Sequence, residues 1–348
     1  MSHTHVTRLR RALAAATVAA VAFGVAGCAA ETEPGGSDGE TRTITIGYSA
    51  RAPFVLPALM AEAGTEEFSS RGLEFQGQLI SAPDALPLLA TGKLDVFAGP
   101  VSAGIFNAIG AGSDIQIVAP GGSSTLESNW YVSRAALGDE EYSLEAWKGK
   151  TVYTSTGAGS YVMISLAHEL ESVGLGPEDL EFAQIPPDDV APALASGAIF
   201  AGIPASVAVR QELLAADEIF AGPSAVWPVG ISPGFIFFGS SLLKDDPELA
   251  VRILEAFADV ETNTLQGDFV KDPEKARMIA DILDYDIGKV PTFVTFEYPT
   301  DLSFPDGWAQ NAEKVWRSLP NVLSYEGSVA DRVVGDDLIK KALTRLRG

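Results

Sequence analysis

The chain of 348 residues has one cysteine, Cys28, and three histidines, of which only His168 lies beyond the first 27 residues. A single thiol excludes an internal disulfide, and one histidine without cysteine partners excludes a Cys/His zinc site in the body. A Ser-His-Asp or Cys-His arrangement would have to use His168 itself. The helical pattern around His168 predicts a structural or solvated role instead, so we expect no metal, no cofactor and no histidine-based catalysis.

Positive charge is also scarce. The chain has 24 lysines and arginines against 46 aspartates and glutamates, a formal net charge of −22 at pH 7. Residues 1–27 hold three arginines and no acidic residue, so the remaining chain carries −25. Such an acidic protein is repelled by nucleic acid phosphates and by anionic lipid headgroups. Nucleic acids are therefore not expected among its partners.

Long apolar runs are missing after Cys28, and the run before it is short. Residues 1–11 are basic and residues 12–24 are uncharged and rich in alanine. A membrane anchor needs about 20 strongly apolar residues, which this segment lacks. The order is typical of a secretory signal peptide at residues 1–27, and the Val-Ala-Gly-Cys ending resembles the lipobox of bacterial lipoproteins. It implies export and lipid attachment at Cys28, followed by a polar, flexible tether at residues 28–42.

From residue 43 onwards, segments with strand character alternate with segments of helical periodicity. This alternation predicts βαβ units and a largely parallel sheet. It begins again at residue 151, so the body of about 300 residues divides into two similar α/β halves. Strands are expected at residues 43–48, 73–79, 94–98, 115–119, 151–154, 181–185, 199–201 and 235–238. Helices are expected from residue 53 and at residues 84–90, 101–111, 160–173, 188–195, 205–215, 247–265, 273–283, 307–318 and 330–346.

A repeated segment supports two similar halves. Residues 84–94 (DALPLLATGKL) recur as residues 189–199 (DVAPALASGAI), with Gly92 aligned to Gly197. Each copy reads as a short helix, a glycine that ends it and a buried strand. Glycine at this place predicts a left-handed cap.

The C-terminal third is dominated by helical patterns, which we expect to pack on the first half. This arrangement predicts a discontinuous first lobe of residues 43–135 plus 236–348, and a second lobe of residues 140–232. The chain would then cross between lobes near residues 133–143 and 230–234.

Several motifs together resemble a known family, the periplasmic solute-binding proteins of nitrate, taurine and aliphatic-sulfonate ABC importers, with their thiamine-precursor-binding relatives. The resemblance covers residues 44–280. The motifs that carry it are Ile46-Gly47-Tyr48 with Pro53, Arg71-Gly72-Leu73-Glu74, Leu89-Ala90-Thr91-Gly92-Lys93-Leu94-Asp95, Pro100, residues 144–152 (LEAWKGKTV) and Pro186-Pro187-Asp188.

The resemblance implies a type 2 periplasmic-binding-protein fold, α/β, with a ligand cleft between two lobes of mostly parallel sheet. It also implies a monomer that delivers a small solute to a membrane permease and catalyses no reaction. Two departures put the usual ligand in doubt. Phe200 stands where the family often has an acidic residue, and Gly202-Ile203-Pro204 replaces a common Trp-Glu-Pro.

Ligands of parallel α/β sheets bind beyond the carboxyl ends of the strands, where helices begin. Four such junctions are predicted, after the strands that end near Tyr48, Ala98, Thr154 and Ala201. Arg51 is the expected charged clamp, because a guanidinium can hold a planar anion with two hydrogen bonds. The expected ligand-binding residues are Arg51, Ser102, Thr156, Gly157, Ser160, Tyr161 and Pro204. The possible cleft walls are Tyr48, Phe54, Pro100, Trp130, Tyr131 and Trp227.

Alternative interpretations remain open at this stage. Residues 156–161 could form an ordinary strand-to-helix turn in which Ser160 caps the helix. An enzyme on the same two-lobed fold is a second possibility, since one fold supports different functions. A lipoprotein that presents a ligand-sensing body to a partner protein is a third.

Overall fold

A computed structural model of the protein describes residues 41–124, 129–204, 207–224, 234–288, 290 and 296–348. The predicted signal peptide, Cys28 and nearly all of the tether lie outside these residues, as does Trp227. In the described part of the chain, no helix is long and apolar enough to cross a membrane.

The strands are short and are spread over the described chain. They are β1 (Arg42–Tyr48), β2 (Leu73–Leu79), β3 (Val96–Gly99), β4 (Gln116–Pro120), β5 (Ser123–Ser124), β6 (Asn129–Ser133), β7 (Thr151–Tyr153), β8 (Glu181–Phe182), β9 (Ala201–Gly202), β10 (Ile219–Ser224), β11 (Phe235–Phe238) and β12 (Phe296–Glu297).

The helices alternate with the strands in the first two thirds of the chain and dominate the last third. They are α1 (Leu56–Glu62), α2 (Glu66–Ser69), α3 (Ala82–Ala90), α4 (Ala103–Gly110), α5 (Arg134–Leu137), α6 (Val162–Glu171), α7 (Val190–Ser196), α8 (Val207–Ala215), α9 (Pro247–Asp259), α10 (Pro273–Leu283), α11 (Trp308–Ser318), α12 (Ala330–Val333) and α13 (Asp336–Arg347). A π-helical turn, Val260–Thr264, extends α9.

Two five-stranded sheets organise the described residues. The first sheet has the order β2-β1-β3-β11-β4 and the second has the order β10-β6-β9-β7-β8. In the first sheet β1 runs parallel to β2 and β3, while β11 is antiparallel to both of its neighbours. In the second sheet β7 runs parallel to β8 and β9, while β6 is antiparallel. The antiparallel strand therefore takes the same place in both sheets.

Helices cover both faces of the first sheet. We call this sheet and its helices the first lobe. Strand β11 is apolar at every position and completely buried, as is typical of a strand with both faces covered. Ile236 and Phe238 pack with α1, α9 and α10, whereas Phe235 and Phe237 pack with α4 and α11. The C-terminal helical section thus packs on the first sheet, as the helical pattern predicts.

The crossing into the second lobe (the second sheet and its helices) lies earlier than the sequence suggests. Strand β6 pairs with β9 and β10, so the chain already belongs to the second sheet at Asn129, before residues 133–143. The reason is that Asn129–Ser133 supplies the antiparallel strand of the second sheet. The return lies between Ser224 and Phe235, an interval that includes residues outside the described part.

The helix ends agree with the sequence at two glycines and differ from it near the C-terminus. Gly92 and Gly197 have φ angles of +67° and +77°, which confirms the left-handed caps predicted from the repeat. The single helix predicted at residues 330–346 is wrong, because the chain breaks between α12 and α13. There Val334 bridges to Ile117 and the Gly335 amide donates to the Ile117 carbonyl, so the break ties this segment to β4.

Candidate functional site

The two sheets meet where strands of each end and helices begin. Ser102, between β3 and α4, forms an isolated antiparallel backbone bridge with Ser160, between β7 and α6. Ser160 is buried, with 5% of its surface exposed. Two of the predicted ligand-binding residues, one from each lobe, are therefore brought together. We call this the Ser102–Ser160 junction.

Close packing surrounds the Ser102–Ser160 junction. A Cβ on Gly159 would lie 3.2 Å from the Cβ of Ala103, the first residue of α4. The indole Nε1 of Trp316, on α11, donates a hydrogen bond of 3.3 Å to the Ser160 carbonyl. Trp316 in turn packs edge-on against Phe106, with ring centroids 5.0 Å apart. Helix α11, from the C-terminal helical section, thus contacts the second lobe at this junction, a role that its helical pattern alone does not reveal.

The loop before Ser160 has an exposed threonine and a glycine in a left-handed conformation. Thr156 is exposed, and its side chain makes no capping hydrogen bond to the following turn. Gly157 has a φ of +60°, and its carbonyl accepts a 2.6 Å hydrogen bond from the Thr154 hydroxyl. A left-handed φ at this position favours glycine over any residue with a Cβ.

The beginning of α6 differs from the simple capped turn. The N-cap residue is Tyr161, not Ser160, and no side chain caps the helix. Tyr161 packs beside Ile164 against the apolar cluster of α4 and α11, and burial raises the pKa of its hydroxyl. The alternative role of Ser160 as a helix cap is therefore not observed.

Arg51, the expected clamp, is occupied by groups of the first lobe. Its guanidinium donates to the Glu62 carboxylate at 3.1 Å, to the Tyr48 hydroxyl at 2.8 Å and to the Ile282 carbonyl at 3.0 Å. Glu62 neutralises the positive charge. Tyr48 is itself buried under this ion pair, and burial, followed by the nearby Glu62 charge, raises the pKa of its hydroxyl.

The remaining predicted residues are divided between junction loops and core. Pro100 is half-buried between β3 and Ser102, and Pro204 is buried just after β9. Phe54 is half-buried, and its carbonyl lies beside Gly121 and Gly234, close to the ends of β4 and β11.

Trp130 corrects one expectation. It is completely buried in the core of the second lobe, edge-on to Trp147 with ring centroids 5.7 Å apart. It packs there because alternate residues of β6 face opposite sides of the sheet, and Trp130 faces the side covered by α6. Trp130 is therefore a core residue in this structure, not a cleft wall.

Tyr131, the next residue along β6, faces the opposite side, where α7 and α8 pack. The guanidinium carbon of Arg210, on α8, lies 5.5 Å from the centroid of the Tyr131 ring. Arg210 is not among the residues predicted from the sequence, because that prediction covers only the loops at strand ends. The available signal was its position six residues after Pro204, in the first turn of the helix that follows β9.

Among the described residues, no group of three or more His, Cys, Asp and Glu side chains could hold a metal ion. His168 is exposed in the last turn of α6. A cavity of about 780 Å³ between α11, α12 and α13 is lined by first-lobe residues such as Trp308 and Arg347, and lies apart from the Ser102–Ser160 junction.

Comparison with known proteins places the fold. No family model matches the chain, and no curated protein matches its sequence. The alkanesulfonate-binding protein SsuA from Xanthomonas axonopodis, bound to MOPS, matches with a TM-score of 0.55 and 15% identity, over 84% of this chain and 98% of that one. The periplasmic nitrate-binding protein NrtA from Synechocystis matches with a TM-score of 0.59 and 13% identity, over 88% and 89%.

An enzyme on a related fold, DszB in complex with biphenyl-2-sulfinic acid, matches with a TM-score of 0.51 and 16% identity, over 87% of this chain and 99% of that one. All of these likenesses concern the fold. The chain has the two-lobed α/β fold of periplasmic binding proteins, and its structural neighbours include the binding proteins of ABC importers.

Proposed function

We propose that this chain is the solute-binding protein of an ABC importer, exported and held at the outer face of the cell membrane by lipid on Cys28. The observation that carries the proposal is the Ser102–Ser160 junction, where strand-end loops of two lobes meet. This is the place where open α/β sheets bind their ligands. The structural neighbours that bind sulfonate and nitrate share the fold and support the same role.

In this proposal the protein captures a solute without chemical change. A small organic or anionic solute enters between the lobes, and loop amides and hydroxyls hold it. Contacts from both lobes favour the closed form, which a membrane permease then receives. The residues proposed to contact the solute are Ser102, Thr156, Gly157, Ser160, Tyr161 and Pro204, with Tyr48, Phe54 and Pro100 as walls. Arg51 is left out of this set because Glu62, 3.1 Å away, already neutralises its charge.

A thermal-shift screen tests the proposal. The panel contains sulfonates, nitrate, carboxylates, pyrimidines and amines, and a solute at 100 times its Kd should raise the free energy of unfolding by about 2.7 kcal/mol. Small-angle scattering should then show a smaller radius of gyration with the solute bound. A panel in which no solute changes the stability or the shape of the protein would contradict solute capture.

A matched pair of variants tests the position of the site. Thr156→Ala removes an exposed hydroxyl beside the junction and should weaken binding about tenfold, or about 1.4 kcal/mol. The control is Thr91→Ala, which removes an exposed hydroxyl at the end of α3, where it bonds only to helix carbonyls. Equal affinities for both variants would place the solute elsewhere.

An enzyme is the second candidate, because DszB is an enzyme on a related fold. The two candidates differ in what happens to the bound solute. Mass spectrometry of the solute recovered after long incubation should find it unchanged if the chain only captures it, whereas a new product would favour the enzyme.

A further inference from the structure

Arg210 places a positive charge at the edge of the second sheet that faces the first lobe. It lies in the first turn of α8 (Val207–Ala215), and side chains of a helix lean toward its N-terminus. Its partner Tyr131 pairs with Gly202, the last residue of β9. The guanidinium therefore lies near the carboxyl end of β9, at the same edge of the second sheet from which the chain continues from β7 to Ser160.

Arg210 lacks the kind of ion-pair partner that Arg51 has. It is half-buried, yet among the described residues it belongs to no ion pair. Arg51, by contrast, is neutralised by Glu62 at 3.1 Å. The basic residues that do form ion pairs are Arg42, Arg51, Arg71, Arg134, Lys244, Lys271, Arg317, Lys341 and Arg345.

Partial burial of a charge without a counter-charge is costly, and an anion that arrives at the charge removes that cost. A local cation is especially important in this protein, because a net charge of −22 otherwise repels any anionic solute. A guanidinium stacked on an aromatic ring keeps its edge free for two parallel hydrogen bonds to a carboxylate or sulfonate.

We infer that Arg210, held by Tyr131, selects an organic anion as the solute, an inference that rests on the proposed solute capture. Its charge binds the anionic group from the second lobe. Arg51 then serves as a structural link within the first lobe and is not the clamp.

The strand order also indicates the length of the solute. Tyr131, Gly202 and Tyr153 are aligned on three neighbouring strands, β6, β9 and β7. Two strand spacings separate Tyr131 from Tyr153, which is about 10 Å. We therefore expect a solute that contacts both Arg210 and the Thr156–Gly157 loop beyond Tyr153 to bridge these two strand spacings. This favours an organic anion with an extended body over nitrate.

Calorimetry with matched probes tests the inference. The probes are 4-phenylbutanoate and its amide, hexanesulfonate and its sulfonamide, and nitrate. We expect at least one organic anion to bind the wild type tenfold or more tightly than its neutral partner and than nitrate. Arg210→Gln should reduce that preference to less than threefold, Arg210→Lys should retain part of it, and Arg51→Gln should retain all of it. The melting temperature of each variant checks that it is folded.

Three results would overturn the inference: neutral partners that bind as tightly as the anions, an anion preference that survives Arg210→Gln, or a preference lost in Arg51→Gln. Failure of both organic anions would overturn it as well. In that case the broader thermal-shift panel separates the two proposals, because binding of a neutral solute leaves solute capture standing and removes only the role of Arg210.

Discussion

The two copies of the repeated helix–glycine–strand unit are alike in backbone and different in chemistry. The Asp95 amide donates to Thr45 of β1, and its carbonyl accepts from Gly239 after β11. The aligned residue Phe200 does the same with Thr151 of β7 and Ser133 of β6. The two positions are therefore equivalent in the two sheets.

Their side chains nevertheless form different cores. The Asp95 carboxylate accepts from the Thr45 amide and hydroxyl at 2.8 and 2.7 Å and from the Ser241 hydroxyl at 2.5 Å. Phe200 packs edge-on against Trp147, with ring centroids 5.4 Å apart, in the apolar core of the second lobe. The same backbone unit thus carries a hydrogen-bonded acid in one lobe and an aromatic ring in the other, according to the residues that surround it. An acid at position 200 would instead lie beside the Trp147 ring in this apolar core.

The largest expected effect comes from making the second lobe resemble the first. Phe200→Asp would place a carboxylate among apolar residues and should lower the free energy of unfolding by about 4 kcal/mol or more. Urea denaturation measures this change. Phe200→Leu is the control, and it should cost no more than about 1.5 kcal/mol. If the two variants are equally stable, the contrast between the lobes is wrong.

The reverse change in the first lobe should have a smaller effect. Asp95→Ala leaves the Thr45 amide and the Thr45 and Ser241 hydroxyls without this acceptor, and should cost about 2 kcal/mol by urea denaturation. Asp95→Asn keeps one acceptor oxygen and should cost less. An alanine variant as stable as the wild type would show that water replaces the carboxylate fully.

The two glycine caps give a third comparison. A Cβ on Gly197 would lie 2.8 Å from the Ala136 amide nitrogen, whereas a Cβ on Gly92 would lie 3.3 Å from the Ser240 hydroxyl oxygen. Both positions have left-handed φ angles, so each alanine costs about 1 kcal/mol or more. We expect Gly197→Ala to be the more destabilising in thermal unfolding, because backbone yields less than a side chain. The opposite order would contradict this packing difference.

The smallest expected effect on stability concerns a buried glutamate in the first lobe. Glu261, in the π-helical turn, is completely buried, and neither carboxylate oxygen has a hydrogen-bond partner. Burial, followed by the Asp301 charge, raises its pKa well above the usual value. The second buried glutamate in this lobe, Glu313, differs because hydrogen bonds from Ser328 and Tyr325 outweigh the effect of burial and lower its pKa.

Since the pKa of Glu261 is higher in the folded than in the unfolded protein, its contribution to stability is present below pH 4.5 and is lost as the pH rises above it. Glu261→Gln should remove this loss, so the variant should gain about 1 kcal/mol relative to the wild type between pH 5 and pH 8. Urea denaturation at both pH values measures the difference. The same pH dependence in both proteins would mean that Glu261 ionises normally.

Much of the fold follows from local patterns. Strand Leu73–Leu79 and helix Pro273–Leu283 match the predicted bounds, because periodicity and flanking breakers are properties of adjacent residues. Strand Asn129–Ser133 and the break at Gly335 could not be predicted in the same way. Each depends on partners distant in sequence, β9 and β10 for the strand and Ile117 for the break.

Short-range periodicity and backbone preference specify the alternating α/β halves and the two glycine caps, and they predict that strand-end loops such as Ser102 and Ser160 carry the site. Which charged groups remain without an ion-pair partner depends on the folded structure. Arg51 looks available in the sequence, but folding places Glu62 3.1 Å away, whereas Arg210 acquires Tyr131. The strength of an ion pair depends on the distance between its charges, and that distance is set only when the lobes fold.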